Sequence, residues 1–144
     1  MKAIGLCLAL VSVSCAARVL QPMSPRELGG FVERQTRLKC YPGQIVAKAT
    51  LAVSSFCGRV RVWTPANLGA GLGGVSVGVF DRASARCLSQ TVTDDGGAFC
   101  IAQVKRGRYI AIVCKDGFGT DVFEVDVTPE SSARSVEILL ELAS

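Results

Sequence analysis

Two adjacent carboxylates, Asp94 and Asp95, are residues whose type and spacing could do chemistry. Paired carboxyl groups can act as acid and base, and their oxygens can bind a divalent cation. Here they lie in the stretch TVTDDGGAFC, between two runs of strand-forming residues. Aspartate accepts hydrogen bonds from backbone amides two residues further on, and glycine adopts positive φ at little cost. We therefore interpret Asp94, Asp95, Gly96 and Gly97 as a structural turn, after which Phe99 enters the core, and we predict no metal site.

The chain contains no histidine. Histidine is the most common general base and zinc ligand, and it is the usual partner of a serine or cysteine nucleophile. Its absence argues against most hydrolase mechanisms. We predict that the protein is not an enzyme, that it has no catalytic residues and that it uses no cofactor.

Five cysteines follow the N-terminal leader, an odd number. No two of them have the C-x-x-C spacing of zinc ribbons and thioredoxin-like redox sites. In an oxidising compartment they could form two disulfides and leave one free thiol, in pairings that the sequence does not select. Alternatively, several are small buried hydrophobic residues within strands. The disulfide candidates are Cys40, Cys57, Cys87, Cys100 and Cys114.

The N-terminus has the layout of a secretory signal peptide. Lys2 supplies a positive charge, Ala3–Val13 is apolar, and small residues follow as far as Ala17. The apolar run is too short to span a membrane, so we predict a signal segment over residues 1–17. Ser-Val-Ser-Cys also resembles a bacterial lipobox. Cleavage before Cys15 would then leave that cysteine to carry lipid and anchor the protein to a membrane, whereas the alternative is simple secretion.

Residues 18–43 are predicted to form a linker or arm. The run Ser24–Glu27 combines an N-cap, a proline at the first helical position and an acid in the first turn, which is typical of a helix start. We expect a short helix near Pro25–Phe31. The glycine pair Gly29–Gly30 argues against a long one.

From residue 44 to residue 144 the chain reads as one all-β domain. Short apolar runs are separated by turn-forming residues, and several alternate between apolar and polar residues, as strands with one buried face do. Tyr109–Cys114 is apolar on both faces, so we expect a central strand that is covered on each side or faces a partner. About eight short strands predict a sandwich or barrel. The strands are Ile45–Val53, Cys57–Trp63, Val75–Asp81, Cys87–Thr93, Ala98–Val104, Arg108–Lys115, Val122–Val127 and Ser135–Leu142.

Arg59, Arg61 and Trp63 are the candidate binding residues. Val60 and Val62 alternate with the arginines, which places each set on its own face of the strand. If the arginine face is exposed, Trp63 and the arginines form a small aromatic and cationic patch that can bind a glycan, a peptide or an acidic partner. The alternative is that Trp63 covers one edge of the sandwich.

Lys105–Arg108 is a basic turn. A cluster of cations at a loop tip can bind phosphate, anionic lipid or nucleic acid. Nucleic-acid-binding surfaces interleave exposed aromatic residues with such cations, and these are missing here. We therefore expect a solvated hairpin tip and no nucleic-acid partner. Tyr109, which follows, is interpreted as a core aromatic residue whose hydroxyl group finds a backbone partner.

Several motifs, taken in order, resemble those of the carboxypeptidase regulatory-like domain, a transthyretin-like (prealbumin-like) β-sandwich. The resemblance covers roughly residues 56–142 and implies a seven- to eight-stranded antiparallel Greek-key sandwich. The glycine-rich loop Thr64–Leu72 and three of the cysteines depart from the family pattern. The motifs are Cys57–Val60, Gly74–Val77, Thr91–Phe99, Gly107–Ile110 and Lys115–Phe118.

Domains of this kind usually serve as structural or interaction modules. The resemblance therefore implies an exported, non-catalytic accessory module that binds a protein or a glycan at the cell envelope or outside the cell. Enzymes of the transthyretin-like group that hydrolyse small cyclic ureides rely on histidines, which this chain lacks. The alternative is a carrier of small apolar ligands assembled as an oligomer, which only the doubly apolar Tyr109–Cys114 supports. The oligomeric state is left open.

Overall fold

The computed structural model describes residues 21–35, 44–66, 68–102 and 104–143. These residues form one helix and ten strands, and none of their helices has the length and apolar character needed to cross a membrane. The predicted signal segment with Cys15, and also Cys40, lie outside them. The helix is α1 (Pro25–Glu33). The strands are β1 (Ile45–Ala47), β2 (Leu51–Val53), β3 (Phe56–Trp63), β4 (Leu68–Gly71), β5 (Ser76–Asp81), β6 (Cys87–Val92), β7 (Ala98–Ile101), β8 (Gly107–Cys114), β9 (Thr120–Val127) and β10 (Val136–Leu140).

The strands form two sheets, arranged as a sandwich. Sheet A has the order β1-β9-β8-β5-β6, and β2 also pairs with β9. Sheet B has the order β10-β3-β4, and β7 also pairs with β3. Side chains from both sheets build the main core, in which the ring of Phe56 lies edge-to-face with Phe99 and Phe123. The mostly-β sandwich that the sequence predicts is therefore present.

Both sheets are mixed, whereas antiparallel sheets were expected. β1 and β2 run parallel to β9, and β10 runs parallel to β3. Parallel neighbours cannot be joined by a tight hairpin and need a crossover. Here β10 follows β9 along the chain but lies in the other sheet. Alternation of apolar residues is the same in parallel and antiparallel strands, so it could not reveal this pairing.

The structure also has two more strands than the eight predicted. β4 forms within the glycine-rich loop Thr64–Leu72, where the sequence predicts no strand. The predicted strand Ile45–Val53 is divided into β1 and β2 by residues 48–50. Neither feature changes the number of sheets, because β4 extends sheet B and both β1 and β2 lie against β9.

The division between β1 and β2 inserts one residue into the pairing with β9. Ala47 of β1 pairs with Val122, and Leu51 of β2 pairs with Val125. Four steps along the first segment therefore correspond to three steps along β9. Since side chains alternate between the two faces of a sheet, such an insertion reverses the direction in which the following residues point. Ile45 and Ala47 accordingly contact the cluster beneath α1, whereas Leu51 and Val53 contact the main core.

Helix α1 covers the outer face of sheet A. It begins with a capping box, in which Ser24 Oγ accepts a hydrogen bond from the Glu27 amide and the Glu27 carboxylate accepts one from the Ser24 amide. Phe31 lies edge-to-face with Phe80, with ring centroids 6.0 Å apart. The predicted helix is therefore present, and because its buried side packs on the sheet it continues to Glu33 despite the internal glycines.

Both faces of β8 are covered, as its apolar pattern predicted. Ala111 and Val113 face the main core, and Ile110 and Ile112 contact the residues beneath α1. The chain's own helix thus supplies the second cover. The doubly apolar strand consequently gives no support to an oligomeric carrier.

A buried carboxylate ties the segment that precedes α1 to sheet A. Glu124 in β9 is 1% exposed. Its carboxylate accepts hydrogen bonds from the Met23 amide and from Arg82 Nη1, the latter at 3.2 Å, and Arg108 Nε lies 3.8 Å away. Arg82 also donates to the backbone carbonyl of Gln21. Glu124 therefore links β9, the β5–β6 turn and the arm.

We expect Glu124→Ala to lower the free energy of unfolding by about 3–5 kcal/mol, because the removal leaves half-buried guanidinium groups without their counter-charge. The amides of residues 28–33 should lose hydrogen-exchange protection before those of the strands. Asp126→Ala is the matched control, since this β9 carboxylate is 39% exposed and lies 3.7 Å from Arg108; it should cost less than about 1 kcal/mol. Equal losses for the two variants in urea unfolding would contradict this role of Glu124.

Candidate functional site

The predicted binding residues lie together on the outer face of β3. Val60, which separates the two arginines, is fully buried in the main core, so its neighbours along the strand face away from the core. Trp63 is 41% exposed. We call the surface formed by Arg59, Arg61 and Trp63 the arginine–tryptophan face.

The two arginines of this face differ in their surroundings. Arg61 Nη1 donates to Glu137 Oε1 at 2.8 Å, and its Nε donates to the Gly69 carbonyl oxygen at 2.9 Å. These bonds hold the Arg61 side chain in one orientation. Arg59 is exposed, and no described residue forms a hydrogen bond or an ion pair with its guanidinium group.

A shallow cleft of about 440 Å³ lies beside the arginines, between β3, β7 and β10. The rest of its lining comes from Gly58, Ala98, Ser135, Val136 and Glu137. Gly58 lets β10 approach β3 closely, because a Cβ atom there would collide with the backbone of Val136. The cleft therefore offers an anionic group space next to the restrained cation of Arg61 and the cation of Arg59, which no described residue pairs.

A disulfide joins β3 to β7 next to this face. Cys57 and Cys100 are opposite each other in the antiparallel register, with their Cα atoms 4.0 Å apart. Cys114, buried in β8, is also disulfide-bonded, whereas Cys87 is a free, half-buried thiol. The sequence leaves the pairing open, because alternation along a strand shows on which face a residue lies but not which residue lies opposite it.

The acidic pair of the opening motif forms the β6–β7 turn. Asp94 Oδ1 accepts hydrogen bonds from the amides of Gly96 and of residue 98, at 3.0 and 2.9 Å, and Gly97 adopts a φ of +85°. Asp95 is exposed, and Phe99 follows in the main core. In the part of the chain that the structure describes, no three metal-ligating side chains come together.

The basic turn is partly neutralised by acidic residues. Arg106 forms an ion pair with Glu130, and its hydrogen bond lowers the pKa of that carboxyl group to about 2. Tyr109 lies against the main core, and its hydroxyl group donates to the Lys105 carbonyl oxygen at 2.7 Å. This turn therefore offers less uncompensated positive charge than its sequence suggests.

A second site, which sequence reasoning missed, lies where the edges of the two sheets meet. A pocket of about 270 Å³ opens between the β1–β2 connection, β9 and β10; we call it the seam pocket. Lys48 Nζ lies 3.5 Å from Asp121 Oδ2 and donates to the Leu139 carbonyl oxygen at 3.4 Å. Lys48 thus bridges the two sheets at the pocket.

Asp121 is buried, at 3% exposure. Burial raises the pKa of Asp121 to about 6; Lys48 lowers it through its charge and a hydrogen bond, and the charge of Glu141 raises it further. The sequence held a signal for this site, namely acids within a segment whose other residues are apolar on both faces. That signal was missed because the strand was predicted to begin after Asp121, at Val122.

Comparison with known proteins gives a distant structural likeness. No protein-family model matches the chain, and no curated protein matches it. Among solved structures, a 3-chlorocatechol 1,2-dioxygenase from Rhodococcus opacus 1CP has a TM-score of 0.39 and 14% sequence identity. The match covers 93% of this chain and 77% of that chain. A likeness of this size supports neither a family nor an activity.

We expect the double variant Cys57→Ser/Cys100→Ser to lose about 4 kcal/mol of unfolding free energy, because the disulfide restrains a long loop of the unfolded chain. The two cysteines are 43 residues apart in sequence. Urea unfolding followed by circular dichroism measures the loss. Cys87→Ser, which removes the free thiol, is the control and should change the free energy by less than about 1 kcal/mol. An unchanged midpoint in the double variant would rule out this stabilisation.

The free energy of unfolding should depend on pH through Asp121. Because the pKa of Asp121 is about 6 when folded and 3.8 ordinarily, the folded state binds its proton more tightly. The folded state is therefore stabilised most below about pH 4, and this stabilisation is lost as pH rises through 6. The free energy of unfolding should fall by roughly 3 kcal/mol at most over this range. Asp121→Asn should remove this dependence, and Lys48→Met should move it to higher pH. Parallel curves for the wild type and Asp121→Asn between pH 4 and 6 would contradict the prediction.

Proposed function

We propose that this chain is an exported, non-catalytic β-sandwich module that binds an acidic protein or glycan through the arginine–tryptophan face. The observation that carries the proposal is the exposed position of Arg59 and Trp63 on the outer face of one strand. Aromatic residues and arginine are the side chains that contribute most to binding at protein surfaces.

The chemistry of the face favours an anionic partner. A guanidinium group can donate two parallel hydrogen bonds to a carboxylate, sulfate or phosphate group. Arg59 can do so without breaking an ion pair with any described residue, whereas Arg61 is held by Glu137 and Gly69. The ring of Trp63 can then contact the apolar face of a sugar or of a neighbouring side chain.

Export is proposed on two grounds. The N-terminus has the signal-peptide layout described above, and cleavage before Cys15 would leave that cysteine to carry lipid at the cell envelope. The Cys57–Cys100 disulfide supports the same location, because disulfides persist mainly in oxidising compartments.

We also propose that the sandwich is related to the carboxypeptidase regulatory-like domains. The ordered motifs support this relationship, as do the two-sheet architecture and the turn that Asp94 and Gly97 build. The parallel pairings of β1, β2 and β10 are where the chain departs from the antiparallel arrangement that the resemblance implied.

The single tryptophan of the chain provides a direct test, because its fluorescence reports on the proposed face. We expect a saturable change when a sulfated oligosaccharide or a glutamate-rich peptide is added, and none with a neutral oligosaccharide or a lysine-rich peptide. Arg59→Ala should weaken binding about tenfold or more, since a hydrogen bond to a charged group contributes about 1.5 kcal/mol.

Arg26→Ala is the matched control, because Arg26 is an exposed arginine on α1 and lies away from β3. Its affinity should equal that of the wild type. The proposal fails if neither acidic ligand changes the fluorescence, or if both arginine variants lose the same affinity. The tighter of the two acidic ligands identifies the partner as a glycan or a protein.

A further inference from the structure

The seam pocket combines an apolar floor with polar groups at its mouth. Leu51, Phe123 and Ile138 supply apolar lining, and Asp121 and Lys48 supply a carboxylate and an ammonium group. Small-molecule sites have this composition, in which few polar groups converge on a largely apolar concavity. A volume of about 270 Å³ is close to the lower end of the range for such sites, so the ligand must be small.

The charges around the pocket favour a cation. Glu137 lines it, and the charge of Glu141 acts on Asp121. Glu137 is paired with Arg61, so among the described residues Asp121 and Glu141 lie opposite the ammonium group of Lys48. The local field therefore attracts a positively charged ligand more than a negatively charged one.

Lys48 and Asp121 are unequally exposed. The side chain of Lys48 is 37% exposed, whereas that of Asp121 is 4% exposed. Lys48 can therefore turn into water and regain its hydration, but Asp121 cannot. A buried carboxylate that loses its partner is strongly destabilised, so only another cation can take the place of Lys48 at low cost. An anionic ligand would instead draw Lys48 away and leave Asp121 uncompensated.

We propose that the seam pocket binds a small primary amine with an apolar body. The ammonium group of the ligand replaces that of Lys48 beside Asp121, and the body of the ligand lies on Leu51, Phe123 and Ile138. This site is independent of the arginine–tryptophan face, although Glu137 lines both clefts.

Replacement of the Lys48 ammonium group by that of the ligand requires an ionised Asp121 carboxylate. The groups that face it are Lys48 from the β1–β2 connection, Glu137 from β10 and Glu141 just after β10. Since the pKa of Asp121 is about 6, protonation should weaken binding as pH falls from 7.5 to 5. This dependence distinguishes the site from a purely apolar cavity.

The test is a titration of the isotopically labelled protein with benzylamine, followed by backbone amide shifts in NMR spectra at pH 7.5. We expect saturable shifts in residues 48–51, 121–123 and 137–139, with a dissociation constant on the order of 1 mM for a ligand of this size. Benzyl alcohol and benzoate match its shape with neutral and negative charge. Each should bind at least tenfold more weakly.

Four variants separate the contributions to binding. Asp121→Asn should weaken benzylamine binding at least tenfold. Lys48→Met should tighten it several-fold at a pH high enough to keep Asp121 ionised without the lysine, because the competing ammonium group is gone. Ala49→Trp, at an exposed lining position, should block the pocket without disturbing the core. Asp126→Asn removes a carboxylate from β9 outside the pocket and should bind as the wild type does.

The results that would overturn the proposal are specific. Equal affinity for benzoate or benzyl alcohol, unchanged affinity in Asp121→Asn, or weaker binding in Lys48→Met while Asp121 is ionised would each exclude the exchange of ammonium groups. If Asp121→Asn does not fold, the opposite effects expected for Lys48→Met and Ala49→Trp still decide the question. Neither variant touches the arginine–tryptophan face, so failure here leaves the proposed function intact.

Discussion

A carboxylate removed from water must keep a partner that compensates its charge, and strand β9 carries two such carboxylates. Glu124 and Asp121 are 1% and 3% exposed. They are three residues apart in a strand, so their side chains leave opposite faces of sheet A. On the outer face, Arg82 and the Met23 amide of the arm compensate the charge of Glu124. On the inner face, Lys48 compensates the charge of Asp121. The positions of the arm and of the β1–β2 connection both depend on these pairs.

The same constraint explains the divided first strand. Without the extra residue in segment 48–50, Leu51 and Val53 would face α1 and the main core would lose both side chains. Lys48 begins this segment, and from there it reaches Asp121 and the Leu139 carbonyl oxygen. The ion pair and the burial of two apolar residues therefore specify one register on β9, and each would be lost in the other register.

Local features of the sequence were sufficient to predict individual strands, turns and the helix, but not which strands lie side by side. The valines of β3, the turn at Asp94 and the helix start at Ser24 depend on residues close in sequence, and their patterns can be read directly. Parallel pairing, the Cys57–Cys100 disulfide and the Lys48–Asp121 pair join residues far apart in sequence. Alternation gives the face on which a side chain lies but not the strand beside it. The acids of β9 could therefore be noticed in the sequence, whereas their position beside Lys48 at the seam could not be derived from it.

Glu137 lines both clefts, and its pairing with Arg61 leaves other residues to determine the charge of each. Its carboxylate is 2.8 Å from Arg61 Nη1, so on the outer face of sheet B it compensates one of two arginines and leaves Arg59 as the open cation. Because Glu137 is already paired there, the charge at the seam is determined by Asp121 and Glu141 against Lys48. The ion pair that joins β3 to β10 therefore stands between a surface with an exposed cation and a pocket in which acids outnumber the described cations.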